Sequence, residues 1–214
     1  MYQTWGRRCT YIKFLSTEED DEIPTFVIDT EEKYLGIWAK TKEGFRKTYE
    51  EFYDKIDWVM KADDDTYVVL ENLRYLLSSY NKSEPIWFGC EFKVIVKDGY
   101  MSGGAGYVLS KESLKRFATE SLTDPSKCKQ QANGMEDVEM GNCLKAVGVR
   151  NEDSRDNLGR FRFLPFTPGT HIGHRKWNSQ GFWYWGYLQH EERQVYIILK
   201  LNDMEEMKKN MIFL

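Results

Sequence analysis

Asp57-Trp58-Val59-Met60-Lys61-Ala62-Asp63-Asp64-Asp65-Thr66-Tyr67 decides how the rest of the chain is read. The apolar run Trp58-Val59-Met60 has the make-up of a buried strand, and it ends in three adjacent carboxylates. Beyond them Val69, Leu70, Leu73, Leu76 and Leu77 recur at helical spacing, with Glu71 and Arg74 facing away. Strand, acidic turn and helix make a βα junction, which predicts an α/β fold with its ligand at the strand end. Three neighbouring negative charges repel one another. A hard divalent cation with oxygen ligands relieves that repulsion and commonly brings a phosphate-bearing substrate with it.

Three simpler roles account for less of the triplet. An acidic helix start, with Asp65 as N-cap and the dipole favouring its neighbours, suits one carboxylate well and a second tolerably. A calcium EF-hand needs alternating acids, a Gly at the sixth position and a Glu at the twelfth, and counting from Asp63 or Asp65 finds neither. An aspartate-nucleophile phosphatase also carries Asp-x-Asp after a strand, but Thr66 comes one residue too early for it. Binding of a metal and a nucleotide is the leading expectation.

Composition narrows the class. With 214 residues the chain can bury a core as roughly one domain. A net charge of −4, with no basic stripe interleaved with aromatics, argues against nucleic acid as a partner. The longest apolar run, Val195 to Leu199, is too short to cross a bilayer. No secretory leader pattern follows Met1, which predicts either a cytosolic protein or a chain without its targeting segment. Cys9, Cys90, Cys128 and Cys143 have no zinc-type spacing and read as scattered thiols. Asn81-Lys82-Ser83 has the form of an N-glycosylation acceptor on a polar, turn-like stretch.

Along the chain, Thr4 to Arg8 reads as a helix end and Tyr11 to Leu15 as a strand; residues 17–22 form an acidic loop. Phe26 to Ile28 is a second strand. Trp38, Thr41, Phe45, Thr48 and Phe52 line one face of a helix from about Glu31 to Tyr53. Pro85 to Phe88 and Phe92 to Val96 read as further strands. Ser102-Gly103-Gly104-Ala105-Gly106 precedes the strand-like Tyr107-Val108-Leu109, and Ser110 caps the helix after it. This glycine run fits neither a P-loop nor a dinucleotide fingerprint. It marks either a close approach of backbone to a ligand or another segment, or a plain tight turn.

A second acidic cluster opens the helix Gly134-Met135-Glu136-Asp137-Val138-Glu139-Met140-Gly141, whose apolar positions are Met140, Leu144 and Val147. Stepping back three from Met140 puts Asp137 on the inward face and Glu136 off it. Asp137 is then either a local cap or a general base for a substrate hydroxyl. From Phe161 the chain turns aromatic, through Trp177 to Phe182-Trp183-Tyr184-Trp185, and flat rings of this kind can stack on sugars as well as pack a core. Val195 to Leu201 reads as a strand and Asp203 to Asn210 as a short charged helix.

The blocks WVMKADDDTYVVLENLRYLL, GYMSGGAGYVLSKESLKRF, MEDVEMGNCL, SRDNLGR and FWYWGY, in this order, resemble the animal core 1 β1,3-galactosyltransferases of the Fringe-like group. The resemblance covers roughly residues 4 to 187. It implies a GT-A fold, Rossmann-like, with a mixed central sheet flanked by helices, over residues 1–187, with 188–214 as a divergent tail. It also implies Mn²⁺, UDP-galactose as donor and GalNAc α-linked to Ser or Thr of glycoproteins as acceptor. A Golgi-lumenal domain on a membrane anchor is implied too, and a homodimer is compatible with it.

Site roles follow from the same resemblance. Asp63 and Asp65 would hold the metal and the ribose side of the nucleotide, with Asp64 in support. Asp137 would take the proton of the acceptor's 3-hydroxyl. Gly103 and Gly104 would let backbone approach the sugar, Trp183 and Tyr184 would flank the acceptor, and Cys128 and Cys143 would form a disulfide. Members of the group carry an anchor and a first nucleotide-contacting strand before the match to Tyr2–Cys9, and the resemblance implies that a partner of Cys9 would lie on that strand. They also carry a metal-binding histidine after the aromatic block; His171, His174 and His190 are not assigned to it. A non-catalytic relative that binds client protein or glycan is therefore the alternative expectation, as is another β1,3-glycosyltransferase specificity.

Overall fold

The computed structural model describes residues 1–30, 36–167, 171 and 211–214. A 3₁₀ turn, Trp5–Arg8, is followed by strands β1 (Tyr11–Ile12), β2 (Phe14–Ser16) and β3 (Thr25–Val27). Helix α1 (Ile37–Phe52), strand β4 (Trp58–Lys61) and helix α2 (Leu70–Ser78) come next. Then come β5 (Ile86–Phe88), β6 (Glu91–Phe92), β7 (Tyr100–Met101) and β8 (Tyr107–Ser110). Helix α3 (Lys111–Arg116) runs on as a π-helical turn to Ser121, and α4 (Glu136–Ala146), β9 (Arg150–Asn151) and β10 (Met211–Phe213) complete the described elements.

The main sheet has the order β1-β10-β4-β8-β5-β9. It is parallel from β1 through β10 to β4 and again between β5 and β9; β8 runs antiparallel to both of its neighbours. All four residues of β4 are buried, as a strand flanked on both edges requires. Its two faces carry different helices. On one, Phe45 of α1 stacks on Tyr107 of β8 at 6.2 Å between ring centroids. On the other, Trp58, Phe88 and Tyr80, the last just after α2, form a chain of ring contacts at 5.9 and 4.7 Å.

Most expected elements are present with shifted ends. The helical face Trp38, Thr41, Phe45 and Thr48 is buried on α1, and Leu70, Leu73, Leu76 and Leu77 are buried on α2. Burying each such leucine contributes about 1.5–3 kcal/mol. Ser110 accepts a hydrogen bond from the Ser113 N–H at 3.1 Å and caps α3. The strand expected over Tyr11–Leu15 is broken at Lys13 into β1 and β2, which lie in different sheets. That expected over Phe92–Val96 stops at Phe92, because Val94 and Ile95 are exposed and pair with no strand among the described residues. The expected strand and helix within residues 195–210 lie outside the described residues.

Candidate active site

The register of β4 against β8 places Lys61 directly opposite Tyr107. Paired residues of an antiparallel ladder share a face, so both side chains point toward the start of α4. There the carboxylate of Glu136 accepts a hydrogen bond from the Tyr107 hydroxyl and lies 3.5 Å from Lys61 Nζ. The same ammonium donates to the carboxylate of Asp63. One buried cation thus joins both acidic clusters, which are far apart in sequence.

Each charge in this group is shifted by its surroundings. Burial drives the Glu136 carboxyl above its ordinary range, although Lys61 and Tyr107 oppose the shift. Burial alone would lower the Lys61 pKa, but Glu136 and Asp63 outweigh it and hold the ammonium above its usual value. Tyr107 is pushed well above the normal phenol, first by burial and then by the negative charge of Glu136. The group therefore keeps its lysine charged and its tyrosine protonated at neutral pH.

Helical spacing read from the sequence set Glu136 off the inward face, and the structure corrects this. Glu136 is buried while Asp137 is only half-buried. Positions three and four before Met140 both fall near one helix face, and the buried row of α4 follows the step of four. Asp137 nevertheless reaches the site. Its Oδ2 accepts from the backbone N–H of Gly103 at 3.1 Å, and its Oδ1 from Val138 N–H at 2.9 Å.

The glycine run makes that approach feasible. Gly103–Ala105 forms a 3₁₀ turn. A Cβ on Gly103 would lie 3.0 Å from Glu136 Oε2 and 3.7 Å from Lys61 Nζ, leaving little room for any side chain. On Gly104, which is exposed, it would meet the Pro165 carbonyl oxygen at 2.9 Å. Gly106 has φ +69°, a backbone region that favours glycine, and packs against the end of β4. In this structure the turn is thus pressed against other parts of the chain.

Asp63, Asp64 and Asp65 follow β4 in a tight turn in which Thr66 N–H donates to the Asp63 carbonyl at 3.0 Å. Helix α2 begins later, at Leu70, with Val69 as its N-cap and no side-chain cap bond. An acidic helix start is therefore ruled out, because none of the three aspartates lies in a helical turn. Asp64 and Asp65 are exposed, and Trp5 Nε1 ties the turn down by donating to the Thr66 carbonyl at 3.1 Å. The Thr66 hydroxyl, buried in the same turn, has no hydrogen-bond partner among the described residues.

As a metal site this turn fits in its chemistry and is partial in its number of ligands. It offers carboxylate oxygens, the ligands a hard divalent cation takes. Among the described residues no group of three metal-ligating side chains converges on one point. His171 does not supply a ring nitrogen through Nε2, which accepts from the Phe166 N–H at 3.2 Å; burial lowers its pKa. Trp183, Tyr184, His174 and His190 lie outside the described residues. Cys128 and Cys143 are joined by a disulfide that ties the loop before α4 to the body of that helix.

The Fringe-like family model matches residues 1–156, nearly three quarters of the chain, a span that holds Lys61, the Asp63–Asp65 turn, Gly103–Tyr107, Glu136 and Asp137. The chain belongs to the Fringe-like family. It is 42% identical over 184 residues to the glycoprotein-N-acetylgalactosamine 3-beta-galactosyltransferase 1 of Xenopus laevis, covering 86% of this chain and 50% of that protein. A mouse beta-1,3-glucosyltransferase is 29% identical over 69% of the chain and 30% of its own length. Human chondroitin sulfate synthase 3 is 28% identical over 47% of the chain and 12% of its own length. The chain thus spans about half the length of the frog relative and less of the others. Its mixed sheet with helices on both faces is consistent with the GT-A glycosyltransferase fold of this Fringe-like group.

Three members of the site carry no local sequence signal strong enough to mark them. The sequence reading passes over Lys61 and Tyr107 and sets Glu136 off the inward face, although a lysine closing an apolar strand just before an acid triplet is a usable sign. Tyr107 read as one more apolar strand residue. Only the pairing of β4 with β8 puts the two together.

Proposed function

We propose that the chain is the catalytic part of an inverting glycosyltransferase that moves galactose from UDP-galactose to the 3-hydroxyl of GalNAc α-linked to Ser or Thr of glycoproteins. The observation that carries this reading is that Asp137 and the Asp63–Asp65 turn lie at one end of the sheet, joined through Glu136 and Lys61. In-line displacement needs the donor's diphosphate and the base within reach of one anomeric carbon from its opposite faces, and two acidic clusters this close can flank a single sugar. The likeness to the frog galactosyltransferase supports the choice of donor and acceptor. All three relatives are named as sugar transferases or synthases, which favours an enzyme over a binding protein.

Asp63 and Asp65 would hold Mn²⁺, with Asp64 beside the nucleotide. A cation bound there supplies Lewis acidity that neutralises the diphosphate and stabilises UDP as it leaves. Asp137 accepts the proton of the acceptor 3-hydroxyl while that oxygen bonds the anomeric carbon and the bond to UDP breaks, inverting the centre. Gly103 and Gly104 would face the sugar, and Trp183 and Tyr184 would flank the acceptor. A Golgi-lumenal location accords with the Cys128–Cys143 disulfide, since such bonds persist in oxidising compartments.

Calorimetry with UDP and transfer to a GalNAc-peptide test the proposal on the full-length protein. Binding of UDP should need Mn²⁺ and weaken strongly in Asp63→Asn or Asp65→Asn, while changes at the exposed Asp20 and Asp21 leave it unaltered. Equal affinity in EDTA would overturn the metal assignment. Transfer of glucose in preference to galactose, or no transfer to the GalNAc-peptide, would overturn the substrate assignment.

A further inference from the structure

Asn81-Lys82-Ser83 is the one Asn-x-Ser/Thr triplet in the sequence, and the proposed reaction makes no use of it. All three residues are exposed, between α2 and β5. The turn is complete without the amide nitrogen of Asn81. Its Oδ1 accepts from Ser83 N–H at 3.0 Å, its carbonyl accepts from Glu84 N–H at 3.0 Å, and Lys82 pairs with Asp57. The Nδ2 atom has no partner among the described residues and can be substituted without breaking a bond of the fold.

Topology shows where such a substituent would sit. Strands β4 and β5 both run antiparallel to β8, so they are parallel to each other. Asn81 lies just before β5, and Asp57, the partner of Lys82, lies just before β4. Asp63–Asp65 follow the opposite end of β4, and Gly103 precedes the Tyr107 end of β8. The strand alone separates the two ends by roughly 13 Å, at about 3.3 Å per residue. A large hydrophilic group on Asn81 therefore leaves the acidic end of the sheet open.

We infer that Asn81 carries an N-linked glycan. Its amide Nδ2 bonds the anomeric carbon of an oligosaccharide carried on a lipid diphosphate. The carbon–oxygen bond to that diphosphate breaks, the lipid diphosphate leaves with the electron pair, and the amide nitrogen gives up one proton. This rests on the lumenal location proposed above, which the Cys128–Cys143 disulfide supports independently.

The test is to make the full-length protein in a eukaryotic cell and map it by mass spectrometry before and after peptide-N-glycosidase in heavy-oxygen water. Asn81 should be recovered as heavy-oxygen-labelled Asp. The electrophoretic shift on deglycosylation should vanish in Asn81→Gln and Ser83→Ala and persist in Ser83→Thr. UDP binding by Asn81→Gln should match the parent protein, because the group lies at the far end of the sheet. Unmodified Asn81 in protein whose Cys128 and Cys143 are oxidised would overturn the inference while leaving the lumenal reading intact. Unmodified Asn81 with both thiols free would overturn it together with that location.

Discussion

Lys61 Nζ lies 3.5 Å from Glu136 Oε2, with both side chains 8% exposed, and the same ammonium bonds Asp63. The last residue of the strand that leads into the aspartates is therefore fastened to the first residue of the helix that carries Asp137. A buried charge left alone costs far more than the pair contributes when complete.

Lys61→Met should thus lower stability by about 3–5 kcal/mol, since it strands Glu136 in the interior. Glu136→Gln should cost less, because Lys61 keeps Asp63. The double variant should recover part of the loss, giving a coupling of about 1–3 kcal/mol in urea unfolding. Strictly additive losses would mean that the two side chains are neighbours without being energetically joined.

Asp137→Asn retains size and shape at the start of α4 but removes basicity. In the full-length protein it should preserve UDP binding and cut transfer to a GalNAc-peptide by about 10²–10⁴-fold, the usual range for a general base. Loss of UDP binding alongside transfer would instead assign Asp137 to the donor site. Near-normal turnover would reduce it to a helix-start residue, where Asn serves about as well as Asp.

Cys9 offers a pH test away from the chemistry. Burial pushes its thiol up to about 12, with Arg74 opposing the shift, so its thiolate fraction at pH 8 is on the order of one in ten thousand. Native protein should alkylate at Cys9 far more slowly than unfolded protein. Because the folded pKa lies above the unfolded one, this contribution to stability is complete below the ordinary thiol value and is lost as pH rises toward about 12. Rapid native-state labelling at pH 8, read by mass spectrometry, would show that Cys9 is not sequestered in this way.

The sequence disclosed the βα unit because its two signals are local: Trp58-Val59-Met60 as a buried strand and leucines at helical spacing after it. It disclosed the Ser110 cap for the same reason, a side chain meeting a backbone three residues on. What stayed hidden depends on pairing. Lys61 and Tyr107 meet only through the β4–β8 register, and Glu136 became visible only once the buried row of α4 was counted in steps of four. The exposed Val94 and Ile95 misled in the other direction, since apolar β-branched residues predict a strand whether or not a partner strand exists.

Strand β10 carries a consequence for how the molecule is made. Met211–Phe213 pair with Trp58–Met60 on one side and with β1 on the other, and Leu214 extends the ladder through Ala62 N–H and the Met60 carbonyl. The strand beside the acidic turn is therefore synthesised roughly 150 residues after the one it lies against, a long loop to close before the pairing stabilises anything. Until it arrives, a ribosome-bound chain exposes the apolar edge of β4, a surface open to mispairing. Folding helpers that shield such an edge should matter more for the yield of this protein than any surface substitution.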